Sequence, residues 1–258
     1  MEYFDDETIT NVLFYPRKQP ILTGLGVNIS AIKIPVEDNV CVGGYFVHRN
    51  NKFPTLVHFH GNGEIASDWL DSENYFTPDV NLIFIDYRGY GFSDGHPKFS
   101  SMLYDALEIV NYVRQYLRDN DYAPGLIIFG RSLGGISAVE IGSKDQNVLG
   151  LIVDSSFGDF LMSTKRLTGK EPSLPKELFD EISSHIKIRK AKSPTLIIHG
   201  THDEILPYEN GEQLFENVKE NHILNEMLSV EQAGHNTISL YREYWDKINE
   251  FIEKVINL

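Results

Sequence analysis

One serine of the sequence has neighbours whose types and spacing suit a nucleophile. Residues 130–134 read Gly-Arg-Ser-Leu-Gly, a G-x-S-x-G pattern, and they follow the apolar run 125–129. A sharp turn from a strand into a helix would expose the Ser132 hydroxyl and hold its backbone in a strained conformation. The residues two before and two after would press against neighbouring backbone, so they must be small. The pattern therefore predicts a nucleophile at Ser132, with a helix-capping serine as the alternative.

A serine nucleophile needs a general base and an acid that orients the base, in the chain order Ser, Asp or Glu, His for a strand–turn–helix site of this kind. Asp203 follows the apolar run 195–199, and His235 stands beside a glycine just before the last helical pattern. Both therefore come after the end of a predicted strand. These positions predict a catalytic triad of Ser132, Asp203 and His235.

Other side chains near these positions have competing interpretations. Asp154 also ends an apolar run and is the alternative acid. We prefer Asp203 because the glycine turn before it leaves room for a carboxylate that points inward. Glu204 is adjacent, but successive side chains in an extended loop diverge. His199 lies inside a strand pattern and is interpreted as a buried core histidine, whereas His202 is expected to face solvent.

The negative charge that develops during acyl transfer requires an oxyanion hole with two N–H donors. The first predicted donor is the backbone N–H of Leu133, next to the nucleophile. The second should come from residues 60–64, His-Gly-Asn-Gly-Glu, which follow the apolar run 55–59. The glycines of this loop allow the backbone to approach a substrate closely. Asn62 is the predicted second donor and Gly63 is the alternative.

Two further patterns bear on metal and nucleotide binding. His58 and His60 are two residues apart on a predicted strand and could share a face, but no carboxylate or cysteine completes a ligand set. We predict no metal site and expect His60 to hold the glycine loop by a hydrogen bond. The glycine-rich residues 86–95 match no phosphate-binding pattern and should form a tight turn, with Tyr90 or Phe92 at the pocket wall. The predicted substrate contacts are Gly63, Tyr90 and Leu206.

Short apolar runs with little polar alternation follow one another along most of the chain. They span residues 55–60, 81–86, 125–129, 148–154, 195–199 and, more weakly, 226–230. Such runs are typical of strands buried on both faces of a sheet. Patterns with apolar residues at three- and four-residue steps lie between several of them and predict helices. These helices cover residues 102–117, a stretch beginning at Leu133, residues 212–218 and residues 241–255.

Strands that alternate with helices predict an α/β fold with a mostly parallel central sheet of about eight strands and helices on both faces. Two earlier stretches, residues 27–35 and 39–48, partly alternate apolar and polar residues and should form an antiparallel edge. Functional sites in such sheets lie at the carboxyl ends of the strands. The predicted triad residues fall at these ends.

Composition narrows the class of protein. The chain has 258 residues and a net charge of −14, which argues against partners such as nucleic acid or anionic lipid. Its one cysteine, Cys41, rules out an intramolecular disulfide and is expected to be a small buried residue. The acidic N-terminus is unlike a secretory signal, and no apolar stretch approaches the ~18 residues of a membrane span. We therefore expect a single-domain cytoplasmic protein.

Taken together, five motifs resemble those of the serine hydrolases of the α/β-hydrolase superfamily. They are HGNGE, DYRGYGFSDG, GRSLGG, GTHDEILP and AGH, within about residues 39–258. The chain looks most like small members of the superfamily that have little lid, and somewhat like membrane-linked acyl-protein thioesterases and Bem46-type hydrolases. The resemblance implies the α/β-hydrolase fold, the triad given above and an oxyanion hole formed by the amides of Asn62 and Leu133. It also implies ester or thioester hydrolysis of a small-molecule substrate without a cofactor.

The chain departs from this family in two places. Residues 160–191, where many relatives insert a large cap, are few enough to predict a short cap over part of the pocket. The thioesterase members carry a cysteine-rich N-terminal segment for lipid anchoring, and residues 1–38 contain neither such a segment nor a diagnostic motif, so we expect no depalmitoylase role. The alternatives to an esterase are an amidase, a peptidase or an acyltransferase on the same scaffold, or a binding protein without catalysis.

Overall fold

The centre of the molecule is an eight-stranded sheet. The computed structural model describes residues 5, 10, 11, 13–169, 180–222 and 224–258. Within these residues the strands are β1 (Ile29–Glu37), β2 (Val40–Val47), β3 (Thr55–Phe59), β4 (Asn81–Ile85), β5 (Leu126–Arg131), β6 (Gly150–Asp154), β7 (Thr195–Gly200) and β8 (Glu226–Val230). Their order is β1-β2-β4-β3-β5-β6-β7-β8. The pairs β1–β2 and β2–β4 are antiparallel, and all other neighbours are parallel, so the predicted mostly parallel sheet with an antiparallel edge is confirmed.

Helices cover both faces of the sheet. They are α1 (Phe99–Asp119), α2 (Leu133–Lys144), α3 (Phe160–Thr168), α4 (Ser184–Lys187), α5 (Glu209–Val218) and α6 (Arg242–Ile256). Shorter 3₁₀ segments span Ala66–Tyr75, Ile188–Lys190 and Ile238–Leu240. Successive strand residues point to opposite faces, so Val57 of β3 packs in the core that contains α1 and α2, whereas Leu56 packs in the core that contains α6. The unbroken apolar runs of the sequence follow from this double burial.

The order of the strands creates a crevice at β3. The chain places β4 on one side of β3 and β5 on the other, so the loops that leave the carboxyl ends of β3 and β5 diverge around a common space. Ligands bind at such switch points in open α/β sheets. Residues 60–64, which follow β3, and Ser132, which follows β5, are therefore brought to the same edge.

Two features differ from the sequence expectations, and a third, the predicted cap, lies partly outside the described residues. The ten-residue 3₁₀ segment Ala66–Tyr75 was not predicted, because its apolar residues follow no sustained helical period. Cys41 is only half-buried in β2 rather than fully buried. Residues 160–191 contain α3 and α4, while residues 170–179 of the predicted cap lie outside the described residues. None of the helices in the described part of the chain is long and apolar enough to cross a membrane.

Candidate active site

Ser132 occupies a tight turn between β5 and α2. Its backbone has φ 51° and ψ −114°, in a region that costs a residue other than glycine about 1–3 kcal/mol. Two hydrogen bonds fix this conformation. The Ser132 N–H donates to the carbonyl oxygen of Asp154 at 2.8 Å, and the Ser156 hydroxyl donates to the carbonyl oxygen of Ser132 at 2.7 Å. The backbone strain at Ser132 is thus maintained by the neighbouring strand β6.

The glycines on either side of Ser132 make this turn possible. A Cβ atom on Gly130 would lie 2.2 Å from the carbonyl oxygen of Gly134, and one on Gly134 would lie 2.0 Å from the carbonyl oxygen of Phe59. Both distances are too short for any side chain to fit without backbone movement. The prediction that these positions must be small is confirmed.

A line of hydrogen bonds joins the three residues of the predicted triad. The Nε2 atom of His235 lies 2.9 Å from the Ser132 hydroxyl oxygen, and its Nδ1 atom lies 2.7 Å from a carboxylate oxygen of Asp203. All three side chains are buried. An ionised carboxylate only accepts hydrogen bonds, so Nδ1 carries the ring hydrogen of a neutral imidazole and Nε2 accepts from the Ser132 hydroxyl. This arrangement can remove a proton from the serine.

The surroundings of Asp203 keep its carboxyl ionised. The backbone N–H groups of Ile205 and Leu206 donate to its Oδ1 atom at 2.9 and 2.8 Å. Burial opposes the charge, but hydrogen bonds from His199, His235 and the Leu206 N–H outweigh it, so the pKa of Asp203 lies well below its usual value. A carboxylate that accepts several hydrogen bonds is stabilised in its charged form.

His199 is a contact of this site that sequence reasoning missed. It is fully buried, as expected of a core histidine, but its Nε2 atom lies 3.3 Å from the Asp203 carboxylate and 2.8 Å from the carbonyl oxygen of Leu206. Both of these partners are acceptors, so Nε2 carries the hydrogen. The sequence signal is the four-residue spacing of His199 and Asp203 across a glycine turn.

Asp154, the alternative acid, has other partners. Its carboxylate accepts hydrogen bonds from the hydroxyls of Ser155 at 2.7 Å and Tyr244 at 3.0 Å. Burial raises the pKa of the Asp154 carboxyl above its usual value, although Arg131 and the two hydroxyls act in the opposite direction. The structure therefore brings Asp203, rather than Asp154, into hydrogen-bond contact with His235.

Arg131, at the first x position of the G-x-S-x-G pattern, connects three motifs. Its buried guanidinium forms an ion pair with Glu64 of the β3 loop, lies 3.8 Å from Asp154 and donates to the carbonyl oxygen of His235 at 2.8 Å. Burial opposes its charge, but the carboxylates of Glu64 and Asp154 raise the pKa of Arg131 above its usual value. Sequence reasoning assigned no role to Arg131, because its partner Glu64 is 67 residues away.

The loop after β3 is held by side-chain acceptors. Glu64 accepts hydrogen bonds from the Gly61 N–H at 2.9 Å and from the Trp69 indole N–H at 3.0 Å. Among the described residues, no hydrogen bond uses the backbone N–H of Asn62 or of Leu133 as its donor. Both residues line the cavity next to Ser132, and their N–H groups stay the predicted donors of the oxyanion hole.

A cavity of about 320 Å³ opens beside Ser132. Its lining residues are Leu13, Tyr15, Asn62, Arg131, Ser132, Leu133, Phe157, Ile205, Leu206, His235 and Asn236. Leu206 is thus placed where substrate contact was expected. Gly63 and Tyr90, the other two expected substrate contacts, are not among the residues that line this cavity. Tyr90 is fully buried and its hydroxyl donates to the Asn62 side chain at 2.9 Å, while Phe92 packs edge-on against Tyr45.

His58 lies in β3, and His60 follows it directly with its Nε2 atom 3.5 Å from the buried carboxylate of Asp86. His58 is fully buried and packs against Trp69 and Phe129. The Nδ1 atom of His60 donates to the carbonyl oxygen of Gly61 at 2.7 Å, as expected for a residue that shapes the glycine loop. In the part of the chain that the structure describes, no group of three or more His, Cys, Asp and Glu side chains is arranged to hold a metal ion.

Comparisons with known proteins identify the family of the chain. Residues 103–258 match the model of the prolyl oligopeptidase family. Over 212 residues the chain is 31% identical to α/β hydrolase domain-containing protein 17B of Xenopus laevis and 30% identical to the human protein of the same name. Each of these alignments covers 79% of this chain and 68% of the relative.

Solved structures of several hydrolases have the same fold. An esterase of Pyrococcus furiosus superposes with a TM-score of 0.71 at 20% identity, covering 92% of this chain and 99% of that chain. An esterase of Thermogutta terrifontis with propionate bound has a TM-score of 0.68 at 19% identity, with coverages of 89% and 95%. At these identities the likeness establishes the fold alone.

Proposed function

This chain belongs to the α/β-hydrolase superfamily, and on that premise we propose that it is a serine hydrolase that cleaves small carboxylic esters or thioesters. The observation that carries the proposal is the hydrogen-bonded line from Ser132 through His235 to Asp203 at the wall of a cavity. A bound cofactor has no part in this chemistry. We place the protein in the cytoplasm, a reducing compartment that suits a chain with a single cysteine.

Each residue has a defined role in the proposed reaction. The Ser132 oxygen attacks the carbonyl carbon of the substrate while Nε2 of His235 takes the hydroxyl proton. The N–H groups of Asn62 and Leu133 bind the oxyanion of the tetrahedral intermediate. Collapse of this intermediate breaks the ester bond, and His235 gives its proton to the leaving alcohol or thiol. Asp203 stays ionised throughout and stabilises the imidazolium.

A second tetrahedral intermediate completes the cycle. A water molecule loses a proton to His235 and attacks the carbonyl carbon of the acyl group on Ser132. The intermediate collapses with transfer of that proton from His235 to the Ser132 oxygen. The carboxylic acid leaves, and the hydroxyl of Ser132 is restored.

The size of the cavity favours short or medium acyl groups. Its volume of about 320 Å³ lies near the lower end of the roughly 300–1,000 Å³ that ligand pockets enclose. A longer chain would gain about 0.8 kcal/mol for each further CH₂ group only if the protein shielded that group from water. The net charge of −14 also disfavours a substrate presented on anionic lipid. We therefore propose substrates that arrive from water.

Peptide cleavage is the second candidate function. It is favoured by the match of residues 103–258 to the prolyl oligopeptidase family model. The same serine, histidine and oxyanion hole can cleave an amide, because the fold does not determine which acyl derivative is accepted. Hydrolysis of a proline-containing p-nitroanilide faster than of the matching esters would favour this alternative.

An acyl-length series of p-nitrophenyl esters tests the proposal. We expect kcat/KM to peak at short or medium chains and to show no step when the ester concentration passes the micelle threshold. A rise that continues through palmitoyl esters, or a sharp step at the threshold, would indicate a lipase or a depalmitoylase instead. The Ser132→Ala variant is the blank for every ester.

A further inference from the structure

An N-terminal segment lies across the entrance of the site. We call residues 13–19 the strap; they precede β1 and fall outside the residues matched by the family model. The strap pairs with the loop after β4. The Gly91 N–H donates to the carbonyl oxygen of Arg17 at 2.7 Å, and the Gln19 N–H donates to the carbonyl oxygen of Gly91 at 3.0 Å. These bonds form a parallel bridge that fixes the course of the strap.

The strap also binds the loop that contains the proposed oxyanion donor. The Tyr15 N–H donates to the side-chain oxygen of Asn62 at 2.8 Å and lies 3.0 Å from the Tyr90 hydroxyl. Two residues further along the strap, the Arg17 guanidinium donates to the carbonyl oxygen of Gly63, the residue after Asn62, at 3.1 Å. The strap is therefore attached to both residues at the tip of this loop.

Two strap residues form part of the cavity wall. Leu13 is 3% exposed and Tyr15 is 60% exposed, and both line the cavity beside Ser132. Leu13 thus lies at the closed part of the wall and Tyr15 at the mouth. Phe14, between them, is also buried but does not line the cavity.

The rest of the apolar wall comes from loops at the strand ends. Phe157 follows β6, and Ile205 and Leu206 follow β7. Among the cap residues whose side chains the structure describes, which are 160, 163–166, 169 and 180–191, none lines this cavity. In the described part of the chain, the apolar wall next to Ser132 therefore comes from the strap, the strand-end loops and Leu133 at the start of α2.

We propose that the strap determines acyl-chain specificity, with Leu13 as the residue that limits the length of the acyl group. This inference rests on the proposed function, since it concerns the acyl side of the same site. An acyl group on Ser132 would extend along the apolar wall towards Leu13. The substrate class is then esters of short-chain acids.

Two variants of Leu13, one with a smaller and one with a larger side chain, test the inference. Shortening the side chain with Leu13→Ala should lengthen the space for the acyl group, and we expect the ratio of kcat/KM for p-nitrophenyl octanoate to that for the acetate to rise about fivefold or more. Enlarging it with Leu13→Phe should lower the same ratio. Both ratios are independent of how much active protein each preparation contains.

Phe14→Ala is the matched control. It removes a buried side chain from the same segment without enlarging the cavity, so the ratio should stay within about twofold of wild type. An unchanged ratio in both Leu13 variants would overturn the inference. A rise in Phe14→Ala equal to that in Leu13→Ala would also overturn it, because loosening of the strap would then explain the effect.

The outcome for the wild-type protein separates this inference from the proposed function. If the wild-type protein hydrolyses the esters and the Leu13 variants keep its acyl-length preference, only the role of the strap is refuted. Absence of hydrolysis for every ester, together with no labelling of Ser132 by a fluorophosphonate, would refute the proposed function and the inference with it.

Discussion

Two buried carboxylates lie at or just beyond the carboxyl ends of neighbouring strands, and their environments differ in a way that bears on function. Asp154 ends β6, and Asp203 lies in the loop after β7, which pairs with β6 in parallel. Both side chains are shielded from solvent. The pKa of Asp203 is lowered, whereas the pKa of Asp154 is raised. Burial acts in the same direction on both, so the donors around each carboxylate must account for the difference.

The donors fit two different roles. Asp203 meets two backbone N–H groups and two imidazoles, which together stabilise its charge. Asp154 meets two hydroxyls, with the guanidinium of Arg131 further away at 3.8 Å. An acid that orients a catalytic histidine must stay ionised at neutral pH. The N–H groups around a carboxylate near a strand end therefore indicate whether it is the acid that orients the histidine. Its position in the chain does not suffice to identify that acid.

Loss of the Asp203 charge should have the largest effect. An amide at this position cannot stabilise the imidazolium and can hold His235 in the wrong tautomer, so Asp203→Asn should lower kcat by about 10⁴. Steady-state ester hydrolysis of the purified variant measures this. A loss smaller than that of Asp154→Asn would assign the acid to the end of β6.

Removal of the Arg131 guanidinium should mainly affect the free energy of unfolding. Arg131→Met would leave the buried Asp154 and the partly buried Glu64 without their cation, and breaking a buried pair on one side costs about 3–5 kcal/mol. Urea unfolding followed by circular dichroism gives the change in the free energy of unfolding. Arg118→Met is a matched control on the exposed end of α1 and should change it by less than about 0.5 kcal/mol. Equal effects of the two variants would contradict the assigned importance of Arg131.

The contributions of Asp203 and Asp154 to the free energy of unfolding should also depend on pH with opposite sign. The lowered pKa of Asp203 means that its stabilising contribution is present above the unfolded value of about 3.9 and is lost as the pH falls through the folded pKa. The raised pKa of Asp154 means that its ionisation opposes folding, so its contribution declines as the pH rises from about 3.9 through the folded pKa.

Urea unfolding of wild type, Asp154→Asn and Asp203→Asn between about pH 3 and 7 separates these contributions. Relative to Asp154→Asn, wild type should lose stability as the pH rises above about 4. Relative to Asp203→Asn, it should lose stability as the pH falls below about 4. Parallel curves for the three proteins would mean that neither carboxyl has the shifted pKa described above.

Asp154→Asn should have the smallest effect on turnover. The asparagine can keep hydrogen bonds to Ser155 and Tyr244, and the line from Ser132 to Asp203 does not pass through it. We expect kcat to fall by less than about tenfold, since a buried polar group next to Arg131 is altered without removing a reacting group. A fall of a thousandfold would place Asp154 in the proton relay.

The strand–turn–helix around Ser132 was predictable because its determinants are local. Gly130 and Gly134 lie within two residues of the serine, and the apolar run before them has the composition of a buried strand. The positions of Asp203 and His235 followed from the rule that sites lie at strand ends. The contact between Asp203 and His235 depends on how the whole sheet is assembled. The sequence indicates only the order of the triad residues along the chain.

Contacts between distant segments could not be predicted. Tyr15 binds Asn62 across 47 residues, and no periodic pattern in the N-terminal segment indicates that partner. Tyr90 was expected at the pocket wall because it follows a strand. The turn after β4 instead buries its ring and leaves its hydroxyl on Asn62, which depends on backbone geometry that the glycines permit but do not specify.

Labelling with a fluorophosphonate, followed by peptide mass spectrometry, tests the central claim most directly. The wild-type protein should gain one phosphonyl group on the peptide that contains Ser132, at a rate that falls with Asp203→Asn. The Ser132→Ala variant should remain folded and unlabelled, and its ester hydrolysis should fall by about 10⁴ or more. Equal labelling of Ser132→Ala, or retention of more than about a tenth of wild-type turnover, would contradict the assignment of Ser132 as the nucleophile.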